Sequence, residues 1–113
     1  MLTVTFNRDS RNRLSSIFAS GHVEIEETSS DEYSLVCAAV SAILQAARLG
    51  LEAYAKVDVG ARQSSGDLRM RLPEGARDDD AVKAIVATAE LSVEQIARQY
   101  PAHVVVTRGN EIG

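Results

Sequence analysis

Residues 35–50 read "LVCAAVSAILQAARLG", and the fold turns on how they are understood. The run to Leu49 is rich in helix formers, and Gly50 is a natural left-handed residue at which such a helix stops. A helix is therefore expected over 35–49. Apolar side chains fall on almost every face of it, which predicts that it is largely buried.

Working outward, residues 2–6, "LTVTF", alternate in the period of a half-buried strand. "NRDSRN" reads as a turn, and "RLSSIFAS" returns as a second strand ending at Gly21. Residues 21–33 form an expected acidic, exposed loop. Beyond Gly50, "KVDVGARQ" and "DLRMRLP" are short alternating segments separated by "SSGD", a second hairpin with Gly66 supplying positive φ. "ARDDD" opens another helix, since acidic residues suit a helix N-terminus. Val82, Ile85, Val86, Ala89, Val93, Ile96 and Ala97 mark one face of it. Tyr100-Pro101 closes that helix. "HVVVT" is a last strand, with "RGNEIG" as a frayed tail. The order is strand, strand, helix, strand, strand, helix, strand. That predicts a single two-layer α/β (α+β) domain over residues 1–113, two helices on a mixed or antiparallel sheet.

The 113 residues carry 12 basic and 16 acidic side chains, a net charge of −4, which disfavours direct nucleic-acid binding. One cysteine forms no internal disulfide, so a reducing, cytoplasmic setting fits best. "MLTVTFNRDS" lacks the apolar core of a signal peptide. The apolar stretch around residues 35–47, broken by Ser41 and Gln45, is too short to span a bilayer. A soluble protein without a membrane partner is expected. No metal site is built from cysteine pairs, and no cofactor is implied.

Cys37 has two readings. Free cysteine is among the most buried residue types, so a small core residue is the plain one. The other is a nucleophile. An ordinary thiol, with pKa near ~8.5, is only a few per cent thiolate at neutral pH; lowering it to ~6 takes roughly 3.4 kcal/mol. If Ser34 caps the helix, Cys37 falls in its first turn, but a helix dipole contributes only about 0.3–1 kcal/mol, up to ~2 when partly buried. A second positive partner is therefore required. His22, after Gly21 at a strand end, is the candidate, because cysteine and histidine across a loop form the standard nucleophile and proton-transfer pair. A rival helix start exists: Ser29 with Glu32 is a capping box, and it would seat Cys37 among packed side chains. The Ser34 start is favoured, since Tyr33-Ser34 interrupts the pattern.

The segment "SGHVE" followed by "LVCAAVSAIL" resembles the ribosomal-processing cysteine protease (Prp) family. Gly21 and His22 match that family's glycine and catalytic histidine. Val36, Cys37, Ala38, Val40 and Ser41 match its second motif, with Cys37 at the nucleophile. Val23 replaces the usual alanine, and Ser34 stands where the family carries an aspartate; if that role is electrostatic, the enzyme is weakened or Glu26, Glu27, Asp31 or Glu32 takes it over. The resemblance implies a small α/β fold and a homodimeric, cytoplasmic endopeptidase without metal or cofactor. Its partner would be a large-subunit ribosomal protein precursor, from which it removes a short N-terminal extension. His22 would protonate the leaving amine, and first-turn amides would stabilise the oxyanion. The alternative is a catalytically weak or inactive protein-binding or ribosome-associated module of the same fold. A thiol redox sensor is a third reading, disfavoured because the chain holds no resolving cysteine.

Other features read as structure. Asp78, Asp79 and Asp80 form a solvated helix start rather than a metal site. Gly60, Gly66 and Gly75 lack phosphate-loop spacing. Arg62, Arg69 and Arg71 could line one hairpin face and hold an acidic or nucleic-acid segment, though an exposed sheet face explains them equally. Ser41 is a packing or backbone-bonded hydroxyl, and His103 a strand-edge residue.

Overall fold

In the computed structural model, residues 1–21, 31–64 and 66–111 are described. The alternation in "LTVTF" becomes β1, Leu2–Arg8, which buries Leu2, Val4 and Phe6 on one face. A turn with Asn12 at φ 61 leads to β2, Leu14–Ser20, antiparallel to β1. The second hairpin is β3, Arg62–Ser64, and β4, Asp67–Arg71, with Gly66 at φ +83 in its turn. A fifth strand, β5, Val104–Asn110, runs parallel to β1, so the sheet is mixed, with order β3-β4-β2-β1-β5.

Two helices, α1 (Asp31–Leu49) and α2 (Asp80–Gln99), complete the order expected from the sequence. Phe6, Ile17 and Met70 from the sheet share one core with Val40, Leu44, Val82 and Val93 from the helices. Asp79 caps α2 by accepting from the Val82 amide at 3.1 Å, while Asp78 bonds Arg13, so the acidic run fans out. Glu90 sits in the buried stripe of α2 because Arg8 grips its carboxylate with two bonds, 2.7 and 3.1 Å, and Arg108 adds a third. Burial opposes its ionisation, but the Arg8 and Arg108 guanidinium groups hold its pKa below the usual range.

Several expectations are corrected. The first helix begins at Asp31, not after Ser34, and takes up residues 31–33 of the expected loop. Asp31 and Glu32 suit the positive end of its dipole. Nor does the helix stop at Gly50: it continues as a π-helical turn, Gly50–Tyr54, and the left-handed conformation falls on Lys56. A Cβ on Gly50 would lie 3.3 Å from Ile85 Cδ1, so the glycine serves close approach of α2. Only a stripe of α1 is buried, from Tyr33 through Cys37 and Leu44 to Ala47, while Leu35 is 71% and Leu49 66% exposed.

With its π turn the helical segment spans 24 residues, long and apolar enough to cross a membrane by length and composition. Length therefore does not set this segment apart from a membrane span, contrary to the expectation from residues 35–47. What the structure shows is that Val40, Leu44 and Leu51 of this segment lie in the core against the sheet. The segment over 56–63 is strand only at Arg62–Ser64. Its preceding Val59 is fully buried and accepts from the Arg71 amide at 2.8 Å. Residues 108–110 of the expected frayed tail belong to β5, and Glu111 accepts from Ser16 at 2.6 Å and from Arg71 at 3.0 Å.

Candidate active site

Cys37 stands in the second turn of α1 and lies on its core-facing stripe with Tyr33, Val40 and Leu44. Its residual exposure is 7%. That exposure opens into a cleft of ≈ 190 Å³ between α1 and the β2–β4 side of the sheet. Leu2, Ala19, Leu44 and Leu68 give it an apolar floor, and Ser41, Gln45, Gln63, Ser64 and Asp67 give it a polar rim. Gln45 and Gln63 bond each other at 3.0 Å, tying helix to hairpin across the cleft.

The sheet end of the cleft is built from two glycine backbones. Gly21 donates its amide to the Gly66 carbonyl at 3.0 Å. A Cβ on Gly66 would sit 2.6 Å from the Gly21 oxygen, and φ +83 already favours glycine there. This contact seats Gly21 in the same cleft wall as Cys37. His22, with Glu26 and Glu27 and the rival cap Ser29, lies outside the described residues. The chain therefore enters the segment carrying His22 from the cleft that Cys37 lines.

Ser34 is not the cap: it is an exposed residue inside α1, in the turn before Cys37, and the cleft wall does not include it. Because Cys37 lies beyond the first turn, the free amides at the helix start are not next to its thiol. The first-turn amides expected to stabilise the oxyanion therefore lie away from Cys37. Ser41, one turn after Cys37, is exposed on the cleft wall rather than packed.

Two residues acquire roles that the sequence reading missed. Tyr33 is 9% exposed and lies one turn from Cys37 on the same buried stripe of α1. Burial first, then the neighbouring Cys37 thiol, push the Tyr33 phenol up to about 12, so it stays protonated at neutral pH. His103, just before β5, packs its ring 5.5 Å from that of Tyr33 at 44°. Its Nε2 lies 2.8 Å from the Glu32 carboxylate. Glu32 is thus engaged with His103. The spacing of Tyr33 and Cys37, i and i+4, was the available signal; nothing local linked His103 to either.

Among the described residues no group of three or more histidine, cysteine, aspartate or glutamate side chains is placed to hold a metal ion. On the hairpin, Arg62 pairs opposite Arg69, Arg69 lies 4.5 Å over the Phe18 ring, and Arg71 bonds Glu111. The Arg69–Phe18 contact gives these arginines a structural role on the sheet face away from the helices.

Comparison with known proteins agrees with the fold. The family model described as cysteine protease Prp matches residues 1–105. No curated protein sequence matches the chain. Among solved structures, SMU.848 from Streptococcus mutans superposes with a TM-score of 0.86 at 23% identity, covering 98% of this chain and 99% of that one. The ribosomal processing protease Prp from S. aureus, with a covalently linked product peptide, gives 0.80 at 19% identity, covering 96% and 99%. The same S. aureus protease with a substrate peptide gives 0.83 at 16% identity, again covering 96% and 99%.

Proposed function

Since the chain belongs to the cysteine protease Prp family, we propose that it is a cytoplasmic, homodimeric thiol endopeptidase that trims the N-terminal extension of a large-subunit ribosomal protein. The observation that carries the proposal is the shared cleft: Cys37 and Gly21, the residue before His22, line one wall-to-floor groove. Peptides bound to the S. aureus relative, one of them covalently, support a substrate of this class.

The chemistry follows from the two side chains. The Cys37 thiolate attacks the scissile carbonyl, and the tetrahedral intermediate collapses to a thioester as the amine leaves. His22 donates the proton that this amine takes up. Water, deprotonated by the same imidazole, then hydrolyses the thioester and restores the thiolate beside a protonated imidazole.

The test is a peptide spanning the expected extension, followed by mass spectrometry with Cys37→Ala and His22→Ala beside the wild type. Cleavage should be lost in both variants, and a trapped acyl adduct should map to Cys37. The near-complete burial of Cys37, 7% exposed, favours a second reading in which the groove holds a peptide without cutting it. Peptide binding with cleavage no faster than the Cys37→Ala blank would establish that reading in place of the first.

A further inference from the structure

β3 is the outer strand of the sheet and is exposed along its whole length. Its hairpin register decides which of its backbone groups are free. Ser64 pairs with Asp67, Gln63 with Leu68 and Arg62 with Arg69. Opposed residues of an antiparallel pair are alternately bonded and non-bonded, and the pair that closes a tight turn is bonded. The other edge of β4 gives the same phase. The Gly66 carbonyl turns toward β2 and accepts from Gly21 at 3.0 Å, while the Arg71 amide turns the opposite way, to Val59 at 2.8 Å. The ladder between β3 and β4 therefore runs through Arg62 and Ser64. The Gln63 amide and carbonyl point outward, off the sheet.

That open edge borders the candidate site. Gln63 and Ser64 line the cleft that holds Cys37, whereas β5, at the opposite edge of the sheet, contributes nothing to it. The Gln63 side chain lies on the face of buried Leu68, toward α1, and bonds Gln45 at 3.0 Å. Gln45 is two turns beyond Cys37, about 12 Å along the helix. An extended chain covers that distance in about four residues.

We propose that the substrate peptide is held as an added strand on the open edge of β3, exchanging backbone hydrogen bonds with Gln63 about four residues from the bond that is cut. The inference rests on the peptide cleft of the function proposed above. The occupant is that peptide because the edge runs into the cleft its scissile bond must enter to meet Cys37. Strand addition draws affinity from the main chain and leaves alternate side chains to be sorted by the cleft floor.

Proline at an edge position whose N–H faces outward keeps the ladder and removes only the donor. Gln63→Pro should therefore unfold near the wild-type temperature. In a Cys37→Ala background it should bind peptide about three- to tenfold more weakly than Gln63→Ala, the worth of one hydrogen bond. Gln63→Ala keeps the backbone donor and loses only the tie to Gln45. A scan of singly N-methylated peptides tests the same contact without altering the protein. Binding should fall at one residue, about four from the cut bond, and not at the residue on either side of it, whose amide points away. Amide hydrogen exchange should show Gln63 becoming protected when peptide is added.

Equal affinities of Gln63→Pro and Gln63→Ala, or a methyl scan without that single position, overturn the inference. Should Gln63→Pro fail to fold, the methyl scan and the exchange of Gln63 decide. Protection of Gln63 without peptide, growing with protein concentration, would give the edge to a second copy and also overturn it. Binding is measured apart from cleavage. Cleavage with a flat methyl scan keeps the protease and removes the added strand; one sensitive position in a peptide that is never cut does the reverse. A peptide that does not bind removes both.

Discussion

Ser34 faces solvent from within α1, so its hydroxyl closes no helix end. Ser34→Ala should leave stability unchanged or raise it by up to about 0.5 kcal/mol, because alanine is the better helix former. An N-cap serine would instead have cost about 1 kcal/mol on the same substitution. Urea unfolding of the two proteins distinguishes these outcomes. Asp9 is a residue of the opposite kind. Burial works against its charge, but the Arg13 amide, the Arg77 side chain at 2.9 Å and the Arg11 amide carry its pKa down to about 2. The folded value lies below the unfolded one, near ~3.9. Its stabilisation is therefore fully present above pH ~4 and is lost as pH falls toward 2. Asp9→Asn should be less stable than wild type at neutral pH and lose less stability between pH ~5 and 2. Thermal unfolding across that window checks both; parallel pH curves for the two proteins would contradict the assignment.

At the scale of elements, the contact between the β2 end and the β3–β4 turn joins the hairpin to the candidate site. Gly66 combines φ +83 with a backbone oxygen 2.6 Å from where a Cβ would go. Gly66→Ala should destabilise by roughly 1–3 kcal/mol through backbone strain alone. It should also slow peptide cleavage, because the Gly21 carbonyl must move and Gly21 precedes His22. Gly60→Ala is the control: φ is +52 there but no atom lies within 4 Å of the added Cβ. Equal losses of activity in the two variants would show that the Gly21 contact carries nothing beyond turn geometry. Element identity was legible because period-2 and period-3.6 patterns are local. Both helices, both hairpins and the final strand stood where expected. Element ends were less so. Gly50 looked like a helix stop, yet the helix runs past it with Ile85 of α2 packed close against it, and that contact joins elements far apart in the chain.

For the whole molecule, the exposed apolar residues bear on assembly. Leu35, Leu49, Tyr54 and Leu91 are 66 to 77% exposed, more large apolar surface on the helices than α1 was expected to leave. A two-fold dimer that covers helix surface would remove it from water. Light scattering should give a mass near twice the 12.2 kDa of one chain. A single-chain mass at high micromolar concentration would exclude the dimer and leave the catalytic proposal standing. The sequence by itself determined the order of elements, the two-layer architecture and the motif around Cys37, because each rests on neighbours within a few residues. Tertiary structure decided the rest. The parallel pairing of β5 with β1, the cleft joining Gly21 to Cys37, and the placing of His103 against Tyr33 all bring together residues far apart in the chain. Periodicity and propensity report only what a segment does with its own backbone. Which segments then touch depends on the packing of one shared core.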